Sequence, residues 1–128
     1  MNNESRRIDE QAVRRTLRLC WSRSSSSLWS EDNPARGQCG VTALVVQDHF
    51  GGELLKTPVD GKWHFYNRLE GVRCDFTAEQ FRTPPAYLDI AASREEAFAD
   101  TDEGQYSYLS RKFDEVSKDF LEGLDRQP

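Results

Sequence analysis

Cys39, His64 and Asp75 are three residues whose types suit nucleophilic acyl chemistry, and their order along the chain allows one cleft to hold them all. A thiol becomes a nucleophile when its anion is stabilised. The positive end of a helix dipole and a nearby imidazolium do this, bringing a pKa near 8.5 down to roughly 3.5–7.5. Gly37 and Gly40 flank Cys39 and leave room for a carbonyl to approach the sulfur. His64 would take the thiol proton and deliver one to a leaving group, while Asp75 would fix the imidazole tautomer and stabilise its charged form. The Cys39 amide, with the side chain of Gln38 or Asn33, is the candidate oxyanion donor set. Trp29, Tyr66 and Asn67 are the candidate substrate contacts.

Taken singly, each residue has an ordinary role. A free cysteine is usually a small buried hydrophobe, a histidine in an aromatic strand usually packs, and an acid at a strand end is usually solvated. The ordered set is what points to chemistry. His49 is the competing imidazole, but at 1.5 Å per residue it lies roughly 15 Å along the helix from Cys39. Without a CxxC or HxxxH pair no metal site is expected, and no cofactor.

The elements that must position the triad are readable from periodicity. Ile8 to Trp21 carries an apolar stripe with arginines between, which predicts a helix, followed by a serine-rich break over Ser22 to Ser27 and a turn through Ser30-Glu31-Asp32-Asn33-Pro34. Val41, Leu44, Val45 and Phe50 recur at helical spacing after Cys39, and Gly51-Gly52 supplies the stop. Glu53 to Val59, Lys62 to Leu69 and Val72 to Thr77 read as antiparallel strands joined by the turns Asp60-Gly61 and Glu70-Gly71. Parity puts His64, Tyr66 and Arg68 on one face and Trp63, Phe65, Asn67 and Leu69 on the other. With a two-residue Glu70-Gly71 turn, 66 faces 75 and 64 faces 77, so His64 and Asp75 are diagonal neighbours; a four-residue loop makes them direct partners. Cys74 falls on the opposite face, as a packed thiol. Thr77 is expected to cap a short helix through Phe81, ended by Thr83-Pro84-Pro85. An acidic segment, Ser93 to Glu103, precedes a final helix from about Tyr106 to Leu121.

The chain has 128 residues, 37% hydrophobic and 30% charged, which fits one domain: an active-site core over 33–81, an N-terminal helix and serine-rich loop over 1–28, and an acidic, helical segment over 82–128. Three cysteines are too few and too scattered for a disulfide framework. The net charge of −5 disfavours nucleic acid and anionic membranes as partners. Arg6, Arg7, Arg14, Arg15, Arg18 and Arg23 crowd the first segment and Asp114, Glu115, Asp119, Glu122 and Asp125 the last, as solvated helix faces in possible mutual contact. No apolar run approaches the roughly 20 residues of a membrane span and the start lacks an apolar leader, so the cytosol is the expected location.

Trp29 to Pro34, Gly37-Gln38-Cys39-Gly40-Val41-Thr42-Ala43-Leu44-Val45-Val46-Gln47-Asp48, Phe50-Gly51-Gly52-Glu53, His64-Phe65-Tyr66-Asn67-Arg68-Leu69, Gly71, Asp75-Phe76-Thr77 and Gln80-Phe81 resemble, in order, the bacterial YunG family. That resemblance covers nearly half the chain and supplies a framework, not a substrate. More distantly, a Cys leading a helix, a strand His followed by an aromatic, and Asp-x-Thr on the next strand are similar to transglutaminase-like and papain-like cores. The expected fold is therefore α+β, a small papain-like or transglutaminase-like core in which a Cys-bearing central helix packs on a short antiparallel sheet between N- and C-terminal helices. The resemblance implies Cys39, His64 and Asp75 as the matching catalytic positions.

The leading expectation is thiol-dependent hydrolysis, deamidation or acyl transfer through a thioester on Cys39, acting on an amide or ester of a protein or small molecule. The alternative is a noncatalytic protein-binding module on the same scaffold, with Trp21, Trp29, Trp63 and Tyr66 as aromatic anchors.

Overall fold

A computed structural model describes residues 8–125, with side chains described through 118. Arg6 and Arg7, and the side chains of Asp119, Phe120, Leu121, Glu122 and Asp125, lie outside the described residues. The fold is α+β: a four-stranded antiparallel sheet with flanking helices.

Helix α1 (Glu10–Cys20) starts where the Asp9 carboxylate accepts from the amides of Gln11 and Ala12, groups that have no partner within the helix. Its stripe of Ala12, Val13, Thr16, Leu17 and Cys20 is buried. Helix α2 (Cys39–Phe50) is buried from Cys39 through Val46, so it is a central helix and not an amphipathic one. It ends at Gly51, and at Gly52 a left-handed φ of 79° brings the backbone so close to β2 that an added Cβ would meet the Arg68 carbonyl oxygen at 2.3 Å.

Strands β1 (Glu53–Val59), β2 (Lys62–Leu69), β3 (Val72–Cys74) and β4 (Ile90–Ala91) are arranged β3-β2-β1-β4. Both hairpins close with two residues: Val59 faces Lys62 and Leu69 faces Val72, with Asp60 and Glu70 at φ of 51° and 52° ahead of their glycines. Positive φ at both turn residues gives the backbone twist that matches paired strands. The register Asn67↔Cys74, carried one step further, sets Tyr66 opposite Asp75, the arrangement expected of the two-residue turn.

Strand β3 stops three residues earlier than the expected Val72 to Thr77. Asp75 leaves the ladder because its carbonyl accepts from the Ala78 amide and its carboxylate turns onto Thr77. The predicted capped helix is a single 3-10 turn, Ala78–Gln80, and the Thr77 hydroxyl donates to Asp75 instead of capping it. Because β3 ends at the level of Asn67, residues 62–66 of β2 have no partner strand on that side among the described residues.

The acidic segment is more ordered than its composition suggests. It follows β4 and holds helix α3 (Arg94–Phe98), whose start Ser93 and Glu96 close with a reciprocal capping box. The Ser-x-x-Glu spacing of that box is visible in the sequence. Helix α4 (Glu103–Asp125) begins earlier and ends later than expected, and buries Leu109 and Phe113 against Val13, Leu17, Val41 and Val45. The arginines of α1 serve the segment after β3: Arg14 donates to the carbonyls of Asp75 and Phe76, and Arg18 pairs with Glu79 at 2.9 Å.

Candidate active site

Cys39 is the first residue of α2, preceded by Gln38, whose side chain makes no capping bond. The helix packs on the sheet face that carries Leu54 and Phe65, and its first turn reaches the open edge of β2, where the Phe65 backbone amide acts to favour the anionic form of the Cys39 sulfur. His64, adjacent in β2, points to the opposite sheet face yet borders the same opening. Cys39 and His64 line one cavity of about 520 Å³ with Leu28, Trp63, Phe81 and Asp100, a size suited to a small-molecule group or a peptide side chain.

His64 is 2% exposed, and its Nε2 lies 2.7 Å from Asp75 Oδ2. Phe81 meets the ring edge-on at 4.9 Å and Tyr66 stacks at 5.8 Å. Asp75 is held on all sides. Tyr87 donates its hydroxyl to Oδ2 at 2.7 Å, and the Thr77 amide and hydroxyl donate to Oδ1. An ionised carboxylate only accepts, so Nε2 carries the shared proton and Nδ1 is the basic nitrogen of the neutral ring. Nδ1 is buried and has no hydrogen-bond partner among the described residues.

Sequence reasoning missed Asp100, which follows α3. The Cys39 thiol donates to Asp100 Oδ2 at 3.5 Å, and the Gly40 amide donates to the same oxygen at 3.1 Å. An added Cβ at Gly40 would meet that oxygen at 2.5 Å. The space expected to admit a carbonyl beside Gly40 is thus filled by a carboxylate. Asp100 is exposed as a residue, but its Oδ2 is turned inward, and desolvation raises its pKa from the ordinary aspartate value.

The electrostatics of the thiol also differ from expectation. Burial first, then the Asp100 charge, push the Cys39 thiol up to about 12 against the Phe65 amide, so the resting sulfur is protonated and not an anion.

The other candidates take structural positions. Asn33 Nδ2 donates to the Gln80 carbonyl and Gln38 Nε2 to the Pro34 carbonyl, and neither residue lines the cavity. Tyr66 is 1% exposed with its hydroxyl on Asp89, and the Asn67 amide donates to the Ala43 carbonyl. Trp29 packs against the main core. These three do not border the cavity: Asn67 faces α2, Tyr66 faces Asp89 on the other side of the sheet, and Trp29 is packed against the core. Cys74 and Cys20 are buried core thiols, Cys20 pushed up to about 11 by burial. His49 sits at the far end of α2 against Phe113. Among the described residues no three His, Cys, Asp or Glu side chains are grouped to hold a metal ion, and no helix is long and apolar enough to cross a membrane.

A family model described as YunG protein matches residues 9–118, a span that contains every element of the fold through most of α4 and every residue of the cavity. The chain belongs to the YunG family. It is 58% identical over 101 residues to "Uncharacterized protein YunG" of Bacillus subtilis (strain 168), covering 79% of this chain and 88% of that protein. No solved structure matches the chain significantly.

Proposed function

We propose that this YunG-family protein is a thiol acyl-transfer enzyme, a hydrolase or transferase of amides or esters, with Cys39 as nucleophile, His64 as base and Asp75 as the residue that orients it. The observation that carries this reading is the His64 ring itself: Nε2 is committed to a carboxylate at 2.7 Å, while the buried Nδ1 is unpartnered among the described residues, on a residue that shares a cavity with a cysteine thiol. A purely structural histidine buried to this depth would be expected to satisfy both nitrogens.

In the proposed cycle His64 Nδ1 takes the Sγ proton as sulfur attacks the carbonyl carbon. The tetrahedral oxyanion is stabilised by amides at the start of α2, the C–N or C–O bond breaks, and His64 returns the proton to the departing amine or alcohol. Water or an amine, giving a proton to His64, then attacks the thioester carbonyl carbon; the C–S bond breaks, the acyl product leaves, and His64 returns the proton to the sulfur. The α2 dipole favours the anionic sulfur and oxygen of these steps. Sharing of the Cys-helix and His–Asp arrangement with papain-like and transglutaminase-like enzymes belongs to the same proposal.

The test is acetylation by p-nitrophenyl acetate, followed by nitrophenolate release and by mass mapping of the modified cysteine. Acetyl-Cys39 should accumulate, and His64→Ala should slow its formation by about 10²-fold or more. Modification spread evenly over Cys20, Cys39 and Cys74, or indifferent to His64, would refute the assignment.

Leu28 and Trp63, 53% and 46% exposed on the cavity rim, favour a second reading in which the cavity binds a protein segment without turnover. Of the four expected anchors only Trp63 is exposed enough to serve, since Trp21 and Tyr66 are buried and Trp29 is packed in the core. A Cys39→Ala variant that retains the whole biological effect of the protein would select that reading.

A further inference from the structure

Asp100 has no part in the cycle described above, yet its carboxylate lies at the centre of the site. One oxygen, Oδ2, bridges the thiol at 3.5 Å and the Gly40 amide at 3.1 Å. An oxyanion formed on a carbonyl attacked by Cys39 has the same needs: negative charge, proximity to sulfur, and a backbone donor near 3 Å. The fold permits this approach only because residue 40 lacks a side chain, which would collide with Asp100 Oδ2 and Cβ at 2.5 and 2.8 Å. The turn after α3 also fixes the backbone, since the Asp100 amide donates to Ala97 and the Ala97 carbonyl lies 3.0 Å from the same added Cβ.

We propose that Asp100 is a positioning residue that fills the oxyanion subsite of the resting protein, and that an incoming substrate carbonyl must displace it from the Gly40 amide before Cys39 is acylated. This rests on the acyl-transfer reading. In the filled state the carboxylate beside the sulfur holds the thiol proton in place and the amide is unavailable, so the site is closed to both thiolate formation and oxyanion binding. Once a carbonyl oxygen accepts from Gly40, both restraints are lifted together. The groups that face Asp100 are Cys39, His64 and Lys62. Lys62 lines the same cavity and makes no ion pair among the described residues, so it offers the displaced carboxylate a counter-charge.

Two probes of Cys39 separate this role from a simple charge effect. Alkylation by iodoacetamide needs only the thiolate. Acetylation by p-nitrophenyl acetate forms an Sγ–C bond and breaks the C–O bond to the aryl group, with p-nitrophenolate leaving on its electron pair and the thiol proton passing to His64; it needs the thiolate and the amide donor. Both rates are measured across pH for the unsubstituted chain and for Asp100→Ala, Asp100→Ser and Asp100→Asn, with thermal melting to verify folding.

Asp100→Ala and Asp100→Ser should raise acetylation by at least about tenfold and by more than they raise alkylation, because they vacate the amide as well as remove charge. Asp100→Asn, whose amide oxygen can still accept from Gly40, should raise alkylation but leave acetylation behind the two truncations. Equal gains with both probes in all three variants would reduce Asp100 to a charge near the sulfur and overturn the proposal, and a fall in acetylation would make it the base instead. His64→Ala reports separately on the acyl-transfer reading: if that variant acetylates as fast as the parent while Asp100→Ala still accelerates it, the triad assignment fails and the Asp100 role stands.

Discussion

At the scale of single residues, the His64–Asp75 pair is over-determined. Asp75 receives hydrogen bonds from His64, Tyr87 and Thr77, and Arg14 clamps its carbonyl. Removing one donor should therefore be milder than removing the carboxylate. Tyr87→Phe is expected to cost about 1 kcal/mol of stability and to lower Cys39 acetylation only several-fold. Asp75→Asn, which in the proposed cycle loses the charge that sustains the imidazolium, should lower it by about 10²-fold or more. Acetylation kinetics set beside denaturant melts of the two variants decide this, and equal effects on both readouts would show that Asp75 acts on folding alone. The Cys39 thiol, pushed up to about 12, should alkylate slowly at neutral pH and gain rate with rising pH as the thiolate fraction grows. A rate plateau below pH 8 would contradict the closed resting state.

At the scale of elements, two junctions carry distinct, testable loads. Gly51 and Gly52 both have positive φ, but a Cβ at Gly51 meets nothing within 4 Å whereas one at Gly52 strikes the Arg68 backbone. Gly51→Ala should thus cost about 1–3 kcal/mol from backbone strain, since φ of 76° with ψ of −147° is a region that only glycine adopts readily, and Gly52→Ala clearly more, because the α2-β1 turn must also move off β2. Urea unfolding of the pair measures the difference. The second junction ties the extended segment before β4 to the sheet. Arg73 donates from Nε and Nη2 to the two Asp89 oxygens at 2.8 and 2.7 Å, and Tyr66 donates to Oδ1. These donors hold the Asp89 carboxyl down at about 2, with the Arg73 bond the largest cause. A carboxyl depressed in the folded state stabilises when ionised, so its contribution is complete above about pH 4 and fades as pH falls toward 2. Both side chains are partly exposed, which limits the effect to about 1 kcal/mol. Asp89→Asn should lower the melting temperature at pH 7 and converge with the parent protein near pH 2.

At the scale of the whole molecule, α1 and α4 close the core on one side of α2, and the smaller cluster of Cys39, Ala43, Leu44, Leu54, Phe65 and Ala97 closes it on the other. The site lies at the margin of the smaller cluster, so the larger one sets global stability without touching the thiol. Phe113 is fully buried and packs edge-on against His49 at 4.7 Å. Phe113→Ala is expected to lose about 3–5 kcal/mol, read from denaturant unfolding, while the fraction still folded keeps the parent Cys39 alkylation profile. A changed profile in folded protein would mean that α4 couples directly to the site.

The chain alone determined the parts that depend on near neighbours. The two-residue turns at Asp60-Gly61 and Glu70-Gly71 follow from local φ preference, and once they fix the register, period-two alternation brings His64 and Asp75 together and sends Cys74 into the core. The helix after Cys39 and the stripe of α1 follow equally from spacing. Tertiary packing decided what crosses between distant segments. Asp100 and Tyr87 lie in stretches without strong periodicity, and nothing local marks one acid among the many after residue 93 as the one that reaches α2. The ending of β3 at Cys74, and with it the open edge of β2, came from competition between ladder bonds and the Asp75–Thr77 contacts. The charge state of the sulfur was set the same way, since a thiol's pKa reports the sum of burial and nearby charges, and both are properties of the assembled fold.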